Sequence, residues 1–375
     1  MTDEAYFDRL VDVDALGSYL AEHLGAADAY EVRRHEAGHS NETLFVTWGE
    51  RELVLRRPPP GATAETAHDV LREYRVVDAL QETPVPVPPT VIACADADVI
   101  GSDFYLMDRV AGEVLRLEEP DAFSVPVRRE AVGRKLVDTL AAIHTIDPEE
   151  VGLEEFGYPS GFAERQVRRW SEQLTWAFAV TADERAVSEL YDVTEWLVEN
   201  APDEHPHTLV HGDYKLDNVM YAPVADATTE KEPVSSDSQT QADDGASVEL
   251  AAVFDWELST LGDPRTDLGW MLSYWRDPGD PEPAVPELTA TFMERDGYHS
   301  RRDLVDRYEA QTGIAFENER FYRTLAVYKL AALGEMFFRR YLEGNSDDPI
   351  YPTMETRVPA LAERATRIIE GEEPL

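Results

Sequence analysis

The run His211-Gly-Asp-Tyr-Lys-Leu-Asp-Asn218 sets an acid two residues after a histidine, a lysine two after that acid and an asparagine five after it. Further on, Phe254-Asp255-Trp256-Glu257 supplies another acid at the end of an apolar stretch. Phosphoryl transfer from a nucleotide asks for such a set, because its catalysis is mostly positioning and charge stabilisation. Asp213 is suited to accept a proton from an incoming hydroxyl, and Lys215 to sit on the transferring phosphate or to be a solvated surface lysine. Asn218 and Asp255 offer oxygens to Mg²⁺, which binds through one or two carboxylates plus substrate phosphates. Glu257 reaches a second metal or only orders the loop. Asp217 reads as a loop-stabilising or substrate-side acid.

These residues need elements to hold them. Residues 1–27 read as one amphipathic helix, and 29–57 as strands with a turn at Gly49-Glu50, stopped by Pro58-Pro59-Pro60. Residues 64–81 carry a helical stripe of Val70, Leu71, Tyr74, Val77 and Leu80. Thr90-Val-Ile-Ala-Cys94 and Phe104 to Val110 complete a small sheet. From about 120 to 200 the pattern is helical, including 130–144 and 162–178. Residues 208–210, 219–221 and 250–254 read as short strands flanking the catalytic run. Helices are expected at 285–296, 303–311, 318–342 and 352–370. Residues 226–247 are polar apart from Val234 and read as a disordered insertion at a hairpin tip. The expected division is 1–110 for a nucleotide-binding lobe and 111–375 for a catalytic and substrate lobe.

Composition narrows the partners. The net charge is −41, with 75 acidic residues against 34 Lys and Arg, only four of them lysines. The acid is spread along the chain, as suits a halophile's cytoplasm, where a Debye length of about 3 Å or less screens self-repulsion. A cationic partner is the alternative. Nucleic acid is a poor partner for such a surface. Cys94 is the lone cysteine and excludes an intramolecular disulfide. The acidic N-terminus does not read as a signal peptide, and no stretch approaches the ~20 apolar residues of a membrane span. A soluble cytoplasmic location with no membrane partner is expected. The Asn41-Glu-Thr43 sequon carries no weight in that setting.

The catalytic spacing resembles the protein-kinase run H-R-D-x-K-x-x-N followed by D-F-G, but Gly212 and Trp256 depart from it. Both match the aminoglycoside phosphotransferase family of small-molecule kinases. The closer resemblance is to the branch found as the kinase domain of acyl-CoA dehydrogenase family members 10 and 11. It is carried by Gly38-His-Ser-Asn41, Leu53-Val-Leu-Arg-Arg-Pro-Pro59, Arg72-Glu-Tyr-Arg75, Phe104-Tyr-Leu-Met107, the catalytic run and Gly262-Asp-Pro-Arg-Thr-Asp-Leu268. It spans roughly residues 28 to 345.

The resemblance implies an α+β, protein-kinase-like, two-lobed fold, with a small antiparallel-sheet N-lobe and a larger, mainly helical C-lobe. It implies transfer of the ATP γ-phosphoryl group, with Mg²⁺, to a hydroxyl of a small molecule such as a hydroxylated acyl-CoA. His211 then orients the loop, and Asp267 hydrogen-bonds the loop backbone. Ser40, Asn41 and nearby N–H groups reach phosphate. No lysine precedes Lys135, so Arg56 takes the phosphate-anchoring position with Glu73 as its helix partner, or else Arg56 or Arg57 is a surface strand residue. Met107, Asp108 and Val110 lie in the linker whose backbone meets adenine, with Met107 alternatively mere core. Trp170, Trp176, Trp270 and Trp275 form a quaternary-ammonium cage or helical core. A GTP-using member, a non-catalytic nucleotide-binding module and an acidic scaffold are the alternatives. Acceptor identity and oligomeric state stay open.

Overall fold

In a strand, successive side chains point to opposite faces, and the N-terminal sheet uses both. The computed structural model describes residues 3–35, 41–60, 69–158, 160–223, 248–346 and 348–375. The strands are β1 (Tyr30–His35), β2 (Glu42–Trp48), β3 (Arg51–Arg57), β4 (Thr90–Cys94) and β5 (Phe104–Asp108), in the antiparallel order β1-β2-β3-β5-β4. Leu44, Val46, Leu53, Leu55, Phe104 and Leu106 fill one face, packed with Leu10, Leu16 and Leu20 of helices α1 (Asp3–Leu10) and α2 (Val13–Leu24). The opposite face carries Phe45, Val54, Tyr105 and Met107, against Val70 of helix α3 (Val70–Ala79). Arg56 opposes Thr43 and Tyr105 in register, so it joins that second face.

The single N-terminal helix expected over 1–27 is two helices. Asp12 breaks it by adopting extended backbone and accepting the Ala15 N–H at 2.9 Å, an N-cap that restarts the helix. α3 begins at an equivalent cap, Asp69, which takes the Arg72 N–H. Residues 61–68, the expected start of this helix, lie outside the described residues. Arg72 ties α3 to the C-terminal region through the carbonyls of Phe156 and Ser259, at 2.9 and 3.0 Å, and lies over the Phe156 ring. Val76 and Val77 of α3, and Leu80 just past its end, also belong to the large C-terminal core.

A short helix, α4 (Ala97–Ile100), precedes β5. The C-terminal lobe holds α5 (Pro126–His144), α6 (Phe162–Thr181), α7 (Glu189–Glu199), α8 (Arg265–Tyr274), α9 (Arg301–Thr312), α10 (Glu319–Leu342) and α11 (Met354–Glu370). α10 is buried nearly all round at the centre of the core, and its buried Arg323 and Glu335 are ion-paired with Glu319 and Arg185. Over 285–296 the expected helix is absent. Pro283 and Pro286, followed by the β-branched Thr289 and Thr291, leave only a 3₁₀ turn at Phe292–Glu294. Two small ladders complete the lobe: β6 (Thr208–Val210) with β9 (Thr260–Gly262), and β7 (Val219–Tyr221) with β8 (Leu250–Val253). The insertion expected at 226–247 lies outside the described residues. The chain forms the two-lobed α+β architecture that the sequence implied.

Candidate active site

The two ladders fold the catalytic run and the Asp255 turn against each other. β7 pairs with β8, Val219 opposite Val253, and the Phe254 N–H donates to the Asn218 carbonyl at 2.9 Å. The long sequence gap between Asn218 and Asp255 therefore closes at the base of a hairpin. Asp255 itself has φ 64°, one of two non-glycine residues with positive φ among those described. Such backbone costs about 1–3 kcal/mol and persists where the surroundings over-determine it. Gly212 has φ 86°, and a Cβ there would lie 2.7 Å from the Leu258 carbonyl oxygen. No side chain fits, which is the steric reason this loop reads His-Gly-Asp.

Asp267, at the first turn of α8, takes the N–H groups of His211 and Gly212 at 2.6 and 2.8 Å and His144 Nε2 at 3.2 Å. Burial pushes the Asp267 carboxyl up, but these donors outweigh it and hold it below its ordinary value. His211 is fully buried, and burial lowers its pKa, so the ring is neutral. Its Nδ1 accepts the Asp213 N–H at 3.1 Å, so Nε2 carries the proton and donates to the Phe254 carbonyl at 2.8 Å. Both nitrogens are spent on backbone. The imidazole staples the catalytic loop to the Asp255 turn and has no nitrogen left for proton transfer. The Trp256 ring lies tilted against it, with ring centroids 4.6 Å apart.

Asp213 sits where three donors converge. Lys215 Nζ and Asn218 Nδ2 reach its Oδ2, each at 2.7 Å, and the Trp270 indole N–H reaches Oδ1 at 2.7 Å. Burial raises this carboxyl, but Lys215 and Lys329 more than offset it, so the group is held ionised below its ordinary value. The Asn218 amide nitrogen also donates to the Asp213 carbonyl at 2.8 Å, which turns its side-chain oxygen away from the Asp213 carboxylate.

Across the cleft, Arg56 spans from the sheet to the catalytic lobe. Its Nη1 bonds Thr43 at 3.1 Å, and Nη2 reaches both Glu73 oxygens, at 3.3 and 3.4 Å, and Asp255 Oδ1 at 3.1 Å. Burial works against the Arg56 charge, but Glu73 and Asp255 outweigh it and keep the guanidinium protonated. Burial lifts Glu73 to about 6 and raises Asp255, against the pull of Arg56 in both. The neighbouring Arg57 points to the other face and caps the carbonyls of Leu10 and Ile100. Asn41 is buried, donates to Glu257 at 3.4 Å and has no partner for its Oδ1 among the described residues. Ser40 lies outside the described residues.

In the linker, Met107 faces the cleft side of the sheet beside Val54 and Tyr105. Asp108 turns its carboxylate outward to Arg51 at 2.8 Å and gives its N–H to Pro89. The Arg109 N–H goes to Glu52, while the Val110 amide meets no backbone acceptor among the described residues.

The donor set fits Mg²⁺. The Asn218 amide oxygen and the Asp255 carboxylate are hard ligands on adjoining turns, and nucleotide phosphates and water would fill the other positions.

The tryptophan cage is not formed. Lys329 covers the Trp270 ring at 3.8 Å, and Arg339 covers Trp176 at 3.7 Å. Trp275 is buried with its indole N–H on the His299 carbonyl. The roles of Trp270 and Lys329 beside Asp213 escaped the sequence reading. Trp270 lies three residues beyond Asp267 and Lys329 more than a hundred residues from Asp213, and only the packing of α10 on α8 joins them. The scarcity of lysine was the one available signal.

Fold and cleft together define a kinase-like phosphotransferase. The phosphotransferase enzyme family model matches residues 31–228 and 244–304, and the chain belongs to that family. It is 31% identical to acyl-CoA dehydrogenase family member 11 of Homo sapiens over 89% of this chain, and 30% identical to family member 10 of Mus musculus over the same share. The chain spans only 40% and 29% of those proteins' lengths. A Ralstonia eutropha protein described as a candidate aminoglycoside phosphotransferase superposes with a TM-score of 0.76 at 27% identity, covering 96% of this chain and 99% of its own. The fold extends to APH(4)-Ia, solved with AMP-PNP and hygromycin B, at TM-score 0.55 and 15% identity, covering 93% of this chain and 98% of that one. Among the described residues no helix is long and apolar enough to cross a membrane.

Proposed function

We propose that this chain is a Mg²⁺-dependent kinase that transfers the γ-phosphoryl group of ATP to a hydroxyl of a small-molecule metabolite. The observation that carries this reading is the Asp213 carboxylate, ionised and fixed by Lys215, Asn218 and Trp270 at the foot of the cleft. Asp213 holds the acceptor hydroxyl and takes its proton as the oxygen attacks the γ-phosphorus and the bond to the β–γ bridging oxygen breaks, releasing ADP. A positioned base of this kind contributes about 10²–10⁴-fold. Lys215, Nζ on Asp213, lies within reach of the transferring group. Arg56, held by Glu73, neutralises the α/β-phosphates, and a guanidinium keeps its charge throughout. Bound Mg²⁺ would neutralise charge developing on the phosphates, and Asn218 and Asp255 are the residues that would hold it. The Val110 amide and the Asp108 carbonyl are the linker groups offered to adenine.

The test is transfer of the labelled γ-phosphoryl group of ATP to a panel of small hydroxyl compounds, in high KCl with and without Mg²⁺. Label in a product only when Mg²⁺ is present supports the reading. Nucleotide binding with no transfer to any acceptor would favour a non-catalytic module, and preference for GTP would change the donor.

A further inference from the structure

A narrow pocket of about 50 Å³ lies between α6, α8 and α10, with Gly212 and the Trp270 indole that holds Asp213 in its walls. Its walls include Arg169, Trp170, Gly212, Asp267, Trp270 and Lys329. The chain carries 75 acids against 34 Lys and Arg, so unpaired cations are not the expectation here. Lys135 pairs with Glu249, and Lys215 with Asp213. Lys231 lies outside the described residues. Lys329 has no carboxylate partner among the described residues. It donates to the Gly212 carbonyl at 2.6 Å, and an ammonium has three donors. Arg169, at the exposed mouth, likewise has no ion pair among the described residues. It lies over Trp170 at 5.2 Å, a ring that Lys329 also approaches at 5.6 Å. The carboxylate of the wall, Asp267, is already taken by His211, Gly212 and His144.

Two consequences follow. A cationic acceptor would meet two like charges, and the aromatic faces that could box it are covered by the protein's own cations. An anion would meet two donors, and the nearby carboxylates Asp213 and Asp267 are each already held by other donors. Resting on the kinase reading above, we infer that the acceptor carries an anionic group, a carboxylate or a phosphate, bound by Lys329 and Arg169 while its hydroxyl meets Asp213. The Trp270 indole fixes the spacing: its N–H edge holds Asp213, and its face lies under Lys329. Hydroxyl and anion are therefore one indole apart, which selects a short acceptor.

The experiment compares ω-hydroxycarboxylates of three to six carbons with their methyl esters, the matching amino alcohols and hydroxyalkyl phosphates. Mg²⁺-ATP turnover and thermal melting are both read, on the full chain and on Lys329→Met, Lys329→Arg and Arg169→Gln. The expected result is a preference for an anionic series of at least tenfold in kcat/KM over the esters and amino alcohols. Whether carboxylate or phosphate leads identifies the anion. Lys329→Met should collapse that preference without changing ATP affinity, Lys329→Arg should keep most of it, and Arg169→Gln, at an exposed position, should weaken it in a folded protein. Were Lys329 only a brace for the Gly212 carbonyl, its loss would slow every acceptor equally. Esters or amino alcohols used as well as the anions, a preference that survives both neutral variants, or ATP binding with no response to any anionic compound would overturn the inference. Absence of ATP binding would instead remove the kinase reading beneath it.

Discussion

Asp213 and Asp255 stand on the same floor of the cleft, and their surroundings differ in kind. Asp213 is met by three donors and held below its ordinary pKa. Asp255 is met by the Arg56 guanidinium, sits on strained backbone and is pushed upward by burial. In the proposed reaction Asp213 is a base that must be ionised before the substrate arrives, and the protein supplies all three donors that hold it so. In the same proposal Asp255 is a metal ligand that the metal and its nucleotide would complete, with Arg56 as its counter-charge in this structure. One side of the cleft is preorganised, and the other is finished by the ligand.

Removing the base should have the largest effect. Asp213→Asn keeps the shape but leaves one acceptor oxygen in place of two and cannot take the proton, so kcat should fall by about 10²–10⁴ with ATP affinity nearly unchanged in a binding titration. Retained turnover would take Asp213 out of the base role. Next comes the counter-charge. Arg56→Ala leaves Glu73 buried without its partner, a loss of about 3–5 kcal/mol for a broken buried pair, read by chemical denaturation. Arg56→Lys offers one compact ammonium for Thr43, Glu73 and Asp255 and should weaken ATP binding about tenfold, a differential of ~1.4 kcal/mol.

Acidity sharpens the contrast further. Burial lowers Lys329 from 10.5 to about 8, with Asp213 and Asp267 opposing and Lys215 and Arg169 reinforcing the shift. The folded chain therefore releases this proton near pH 8 while the unfolded chain keeps it to about 10.5. Between those values the unfolded state binds more protons, so this group's penalty on folding is full below 8 and is relieved as pH rises. For an anionic acceptor the opposite trend appears in binding: KM should climb above about pH 8, and Lys329→Arg should flatten the climb. The smallest effect belongs to Trp270→Phe. It removes one of three donors from Asp213, so the acid limb of kcat/KM should move to higher pH, with ATP binding intact.

Much of this was written in local sequence. Strand alternation and the Pro58-Pro59-Pro60 stop marked β2 and β3, and the apolar stripe marked α3, because those signals act between neighbours in the chain. The catalytic offsets put Asp213, Lys215 and Asn218 on one short turn, where spacing alone is informative. The break at Asp12 depended on one side chain capping three residues ahead, and a continuous apolar stripe concealed it. Over 285–296 the periodicity was present, but proline and threonine defeated it. Tertiary packing alone revealed Arg56 bridging to Asp255 and Lys329 lying on Trp270, since neither contact joins sequence neighbours. The tryptophan cage failed for the same reason: composition supplied the rings but not the cations already resting on them.

The central claim is tested most directly by thermal melting in high KCl with Mg²⁺ and ATP, each alone and together, on the wild type and Asp255→Ala. Ligand at one hundred times Kd stabilises the native state by about 2.7 kcal/mol. A Mg²⁺-dependent rise in Tm with ATP is expected in the wild type, and Asp255→Ala should abolish it. A folded wild type whose Tm ignores Mg²⁺-ATP, or an Asp255→Ala variant that responds in full, would contradict it.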